Sequence, residues 1–156
     1  MITMYVFVPG IPAPQGSVTA IPYKKADGSL GARRIHADSK TVPWREKVER
    51  HIREEISKSN VQFVKDAPIG IFLDFFFPVP QSKVKKKTGY PKYPTTKPDI
   101  DKLGRAICDS FMFASGIDDS VISTLQMNKK YVSDISKAGV EIYIKQSEQE
   151  YEKVEG

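Results

Sequence analysis

Five aspartates stand between Lys97 and Ser120: Asp99 and Asp101, then Asp109, then Asp118 and Asp119. The chain around them is basic, with 24 Lys+Arg against 19 Asp+Glu and a formal net charge of +5. Carboxylates gathered in a basic chain either hold a cation or cap a helix. Hard ions such as Mg²⁺ take a few carboxylate oxygens and leave the rest of the shell to water and phosphate, so three converging aspartates suffice. Arg105 or Lys102 beside them would then hold a phosphate. The competing structural role is plain: Pro98-Asp99 ahead of Leu103, Ala106, Ile107 and Phe111 spells the start of an amphipathic helix, with Asp99 as N-cap and Asp101 favoured by the helix dipole. The later acids shift that balance towards a cation site; metal ligands here would also start the helix, with Asp99 serving both roles.

The elements that must position these groups follow from periodicity. A helix from Asp99 brings Asp99, Lys102 and Arg105 near one another, while Leu103, Ile107 and Phe111 form its buried stripe. The chain reverses at Ser115-Gly116, and Asp118-Asp119 opens an alternating strand from Val121 to Met127, which returns one of these acids towards the helix. Ile2 to Val8 reads as a first strand with Ile2, Met4, Val6 and Val8 on one face. Gly16 to His36 reads as an irregular hairpin turning at Asp27-Gly28, flanked by Lys24, Lys25, Arg33 and Arg34. Thr41-Val42-Pro43 starts a second helix, with Trp44, Val48, Ile52 and Ile56 at i+4 spacing and His51 half-buried beside them. Ile69 to Phe77 is the strongest strand. Phe72 and Phe76 make its second face apolar too, which places it inside a covered sheet or at an oligomer interface. Asp74 on that second face reads as an ordinary exposed strand residue, the alternative being an outer or fourth acid of the site.

Pro78 to Lys97 is a low-order segment, with four prolines separating Lys83, Lys85, Lys86 and Lys87. Its lysines suit phosphate; its Tyr90 and Tyr93 either dock it loosely, the favoured reading, or stack on unpaired bases. Val121 to Tyr131 and Gly139 to Lys145 read as an antiparallel hairpin around Ser133-Asp134. The expected architecture is α+β: a single mixed β-sheet of about four to six strands with two main helices. One domain over 1–146 and a charged tail over 147–156, helical or frayed, complete the expectation.

The stretch from Gln146 to Gly156 holds four Glu and one Lys, leaving 23 basic and 15 acidic residues elsewhere. Such a field attracts polyphosphate, although a solvated basic surface without a partner has the same composition. Cys108 is the single cysteine, which excludes an internal disulfide, and its place beside Ile107 indicates packing. No apolar run reaches membrane-spanning length and no signal-peptide pattern opens the chain, so a cytoplasmic protein without membrane contact is expected. No Gly-rich phosphate loop or zinc spacing is visible, and no small-molecule cofactor is expected.

Lys97-Pro98-Asp99-Ile100-Asp101-Lys102-Leu103, Asp109 and Asp118-Asp119-Ser120 together resemble the core motif of the RusA family of Holliday junction resolvases. There, Pro-Asp-x-Asp-Asn-Leu, a basic residue and Asp-Ala-Leu precede Asp-Asp before a strand. Pro12-Ala13-Pro14-Gln15-Gly16, the Arg34 to Ser39 stretch and the helix with Trp44 resemble the phage-type branch, and small junction nucleases of this kind suit phage genomes. The resemblance implies an endodeoxyribonuclease dependent on Mg²⁺, with Mn²⁺ as substitute, that carries Asp99, Asp101 and Asp119 as metal ligands. The family's catalytic lysine falls on Arg105 and its usual Asn on Lys102. Either Lys102 supplies the missing ammonium, or the role is only electrostatic and Arg105 fills it; charge stabilisation without proton transfer favours Arg105. Lys97, Lys83, Lys85, Lys86, Lys87, Arg33 and Arg34 are the expected DNA contacts. The resemblance further implies a homodimer that cuts branched double-stranded DNA by paired, symmetric nicks in recombination and repair, leaving ligatable 5′-phosphates. A two-fold substrate calls for two sites. The alternatives are a nuclease that prefers flaps, forks or RNA, and a branched-DNA-binding protein that has lost catalysis.

Overall fold

The computed structural model describes residues 1–16, 18–36 and 40–155, with side chains outside 18–23 and 32–36. Strands β1 (Ile2–Pro9), β2 (Val18–Lys24) and β3 (Leu30–His36) come first, followed by helix α1 (Thr41–Ser59) and strand β4 (Ile69–Pro78). Helix α2 (Ile100–Ser115), strand β5 (Ile122–Val132) and strand β6 (Gly139–Gln146) complete the order. Four strands form one mixed sheet in the order β1-β6-β4-β5, and β2 and β3 form a separate two-stranded ribbon. This is the expected α+β class with two main helices.

β4 occupies an inner position because both of its faces are apolar. Ile69, Ile71, Leu73 and Phe75 are buried against the helices, whereas Phe72, Asp74 and Phe76 line the half-covered opposite face. It runs antiparallel to β6 and parallel to β5. Parallel neighbours need a crossover, and α2 supplies it. The expected β5–β6 hairpin does not form, since β4 lies between those strands. A strand that buries apolar groups on both faces gains most from two neighbours, and a short 3-10 turn at Ile135–Lys137 packs on β4 as the chain passes it.

The helices share one sheet face. Trp44, Val48 and Ile52 of α1 and Leu103, Ala106, Ile107 and Phe111 of α2 are all buried, at i+3 and i+4 spacings. Fully burying each large side chain of this stripe stabilises the fold by about 1.5–3 kcal/mol. Gly104 permits the close approach of α2 to β5, because a Cβ there would collide with the Met127 sulfur. The hairpin turns as expected: Lys25 N–H donates to Ser29 O at 2.8 Å, and Gly28 takes a left-handed φ of 88°. Residues 147–155 have no regular secondary structure, so the tail is not helical.

Candidate nucleic-acid and metal site

Helix α2 begins where the sequence pattern places it, but Asp99 does not cap it. Asp99 occupies the N-cap position with no side-chain capping bond, and its Oδ2 instead accepts from Lys102 Nζ at 3.2 Å. The ammonium draws the carboxylate away from the helix amides, so the side-chain cap expected of Asp99 does not form. Asp101 also faces Lys102, at 3.6 Å, and its side chain is 67% exposed. The hydrogen bond and charge of Lys102 hold Asp99 below the usual carboxylate range, with smaller help from Lys97 and Lys129. The two carboxylates in turn push Lys102 up.

The second acid pair has different neighbours. Asp118 accepts from Ser120 N–H and begins the short turn Asp119–Val121 that leads into β5. The Asp119 carboxyl is pushed up, first by its hydrogen bond with Asp118, then by burial and by the charges of Asp118 and Asp109. Asp118 is held down by the same hydrogen bond. Asp119 shares a cavity of ≈ 280 Å³ with Cys108, a residue of the second half of α2. Asp101, Arg105 and Cys108 lie at i, i+4 and i+7 on one helix face, about 10 Å from end to end along the axis. Arg105 therefore stands between the two acid pairs. Its side chain is exposed and makes no hydrogen bond or ion pair among the described residues.

The donor chemistry fits a hard divalent ion: every candidate ligand is a carboxylate, and the Asp118–Asp119–Asp109 group carries crowded negative charge that a cation would relieve. The pairs themselves are separate. Among the described residues no three His, Cys, Asp or Glu side chains come together as one set. Asp109 is held by Gln15, whose amide donates to its carboxylate while Arg45 donates to the Gln15 carbonyl oxygen at 3.3 Å. Asp74 is outside the site, on the sheet face away from α2, where Lys130 lies 3.4 Å from it.

Two positioning residues escaped the sequence reading. Gln15 is buried, and its N–H donates to Lys102 O at 3.0 Å, which ties the Pro12–Gly16 loop to the first turn of α2. Lys129 donates to Thr96 O at 2.8 Å and Pro98 O at 2.9 Å, which fixes the segment leading into Asp99. Neither was legible without knowing which loop faces α2. Among the expected DNA contacts, Lys85, Lys86, Lys87 and Lys97 are exposed, and Lys83 leans on the Tyr131 ring with Nζ 3.3 Å from its hydroxyl. Arg33 and Arg34 belong to β3, but their side chains lie outside the described residues, as does part of the Arg34 to Ser39 stretch.

Cys108 packs against the core as expected, and burial followed by the charges of Asp109 and Asp119 pushes its thiol up to about 11. Only about one thiol in a thousand is then ionised at pH 8. Iodoacetamide at pH 8 is expected to leave Cys108 unmodified in the folded chain while the urea-unfolded chain is fully alkylated. Equal rates in the two states would show that the thiol is not shielded.

Carboxylates beside an unpaired guanidinium, on a surface with many exposed lysines, are the chemistry of a protein that handles phosphodiesters. The family model described as endodeoxyribonuclease RusA matches residues 14–145, and the chain belongs to that family. Membership makes it an enzyme that cuts DNA within a strand. No curated protein matches the chain at a significant level. No helix among the described residues is long and apolar enough to cross a membrane.

Proposed function

We propose that the chain is a homodimeric resolvase that cuts four-way DNA junctions by paired, symmetric nicks, with Mg²⁺ held by Asp99, Asp101 and Asp119. The reading rests on one arrangement within the matched family region: Arg105 stands on the helix face between the two carboxylate pairs, which would have to close on the ion from their separate positions. A phosphate gripped by the guanidinium fork would have acid on both sides. Bound there, the ion supplies an activated water and charge stabilisation at the phosphorus. Arg105 orients the phosphate and offsets its charge. Lys102 neutralises Asp99 and Asp101 until DNA arrives, and Lys97, Lys85, Lys86 and Lys87 hold flanking phosphates.

The partner reading has its own support. The open face of the sheet exposes Tyr5 and Tyr143, with Phe72 half-covered and packed on Tyr143 at a centroid distance of 5.9 Å. A second copy is the partner that such a face suits, since a junction with two-fold symmetry demands two related sites.

Labelled synthetic four-way junctions, flaps, forks and linear duplexes, each with EDTA, Mg²⁺ or Mn²⁺, test the proposal. Symmetric nicks in the junction that require the divalent ion are expected. Tight junction binding without cutting in either ion would overturn it, as would cutting of flaps with indifference to junctions.

A further inference from the structure

Beside the acid pair Asp99–Asp101 lies a cavity of ≈ 730 Å³ that no step above uses. Its apolar wall is built by Ile11, Pro12 and Pro14 of the loop after β1, with Phe77 at the end of β4 and Pro98 before α2. Lys40, Lys97 and Lys102 surround it together with Asp99. A smaller cavity of ≈ 220 Å³ shares Ile11, Phe77, Lys97 and Pro98 with it and extends towards Lys129 and Tyr131. The larger volume falls within the roughly 300–1,000 Å³ of sites that enclose a small organic group.

We propose that this cavity takes one unstacked nucleotide of the DNA branch point, its base against the Ile11–Pro12–Pro14 wall and its phosphate among the lysines beside Asp99. The proposal rests on the resolvase reading and deepens it. Charge complementarity selects the occupant: three lysines against the one carboxylate of Asp99 leave the apolar hollow net positive, which suits a group that is anionic at one end and flat and apolar at the other. A phosphate near Asp99 and Lys102 has its own sugar and base attached, so the hollow next to those residues is within that nucleotide's reach. A base inside a regular stack is turned away and cannot enter; it must rotate out. The wall offers proline rings, an aliphatic chain and Phe77. These surfaces accept any base by its face and read no hydrogen-bond edge.

Unstacking is least costly where pairing is already broken, as at a branch point. The cavity therefore converts ease of unstacking into preference for branched DNA, without any contact to a particular sequence. Its wall is well fixed, because Gln15 N–H bonds to Lys102 O, Thr41 donates its hydroxyl to Pro14 O at 2.5 Å, and Lys129 holds Pro98. The Ile11 side chain is free to act as a contact, being 52% exposed.

The test uses the full chain in EDTA and four-way junctions carrying 2-aminopurine at each nucleotide around the branch point in turn. Gel shift is read on the same samples. The expected result is a several-fold rise in fluorescence at one position on binding. It should be absent in Ile11→Trp, which fills the hollow and lowers the preference for junction over duplex by about tenfold. Thermal melts check that this exposed substitution leaves the fold intact. Junction binding with 2-aminopurine quenched at every position overturns the cavity proposal alone, as does a full rise with Ile11→Trp. Failure to bind the junction at all overturns the resolvase reading and the cavity proposal with it.

Discussion

The Asp101→Asn protein is expected to bind a four-way junction at least as tightly as the parent and to cut it about a thousandfold more slowly. Among the described residues the Asp101 carboxylate is engaged by Lys102 alone. That ammonium lies 3.6 Å away, and the Asp101 side chain is 67% exposed. Surface pairs of this kind contribute about 0–1 kcal/mol, so the melting temperature should hardly move. Removing a negative charge beside the proposed DNA path favours phosphate binding, while the proposed metal site loses one carboxylate oxygen. Asp119→Asn provides the comparison. Its carboxyl is crowded by Asp118 and Asp109, and its pKa is raised in the folded chain. A raised folded pKa means that the favourable contribution of the protonated group is lost as pH rises through that value. In EDTA at pH 7, Asp119→Asn should therefore melt no lower than the parent, and any gain should shrink towards acid pH. Cleavage within tenfold of the parent in Asp101→Asn, or a marked fall in its melting temperature, would remove Asp101 from the metal site.

The acids, the two helices and the central strand were legible because each rests on local pattern. Trp44, Val48 and Ile52 repeat at helical spacing, and Ile69 to Phe77 alternates over nine positions, so burial dictates both elements whatever surrounds them. The neighbours of β5 were not legible. Adjacent strands joined by a short connection usually pair, and only the competition of β4 for both neighbours decides otherwise. The site divides in the same way. Asp99, Asp101 and Arg105 are set by one helix, whereas Gln15 bonds to Lys102 from 87 residues away and Lys129 to Pro98 from 31, through contacts that no spacing predicts. The N-cap expectation for Asp99 failed for a local reason that was also in view: a lysine three residues on competes for its carboxylate, and the ammonium wins.

Arg105 and Lys102 are the two cations that can stand where the family has its catalytic lysine, and their variants should separate sharply. Arg105→Ala is expected to lower cleavage about a hundredfold, equivalent to about 2.7 kcal/mol of transition-state stabilisation, with junction affinity changed less than threefold. The guanidinium has no partner among the described residues, so its loss leaves no buried charge and the fold should be unaffected. Lys102 is engaged differently, with its ammonium on Asp99 at 3.2 Å and on Asp101 at 3.6 Å. Lys102→Asn restores the residue found in the family pattern and frees both carboxylates. It should lower cleavage less than tenfold and shift the half-maximal Mg²⁺ concentration downwards, because the ammonium no longer competes for the same oxygens. Arg105→Lys adds a decisive control. If the role is electrostatic, a lysine there should retain cleavage within about tenfold, with no new inflection between pH 6 and 9. If proton donation by Lys102 is required instead, Lys102→Asn will be the more damaged variant and Arg105→Ala the milder one, which would reverse the assignment.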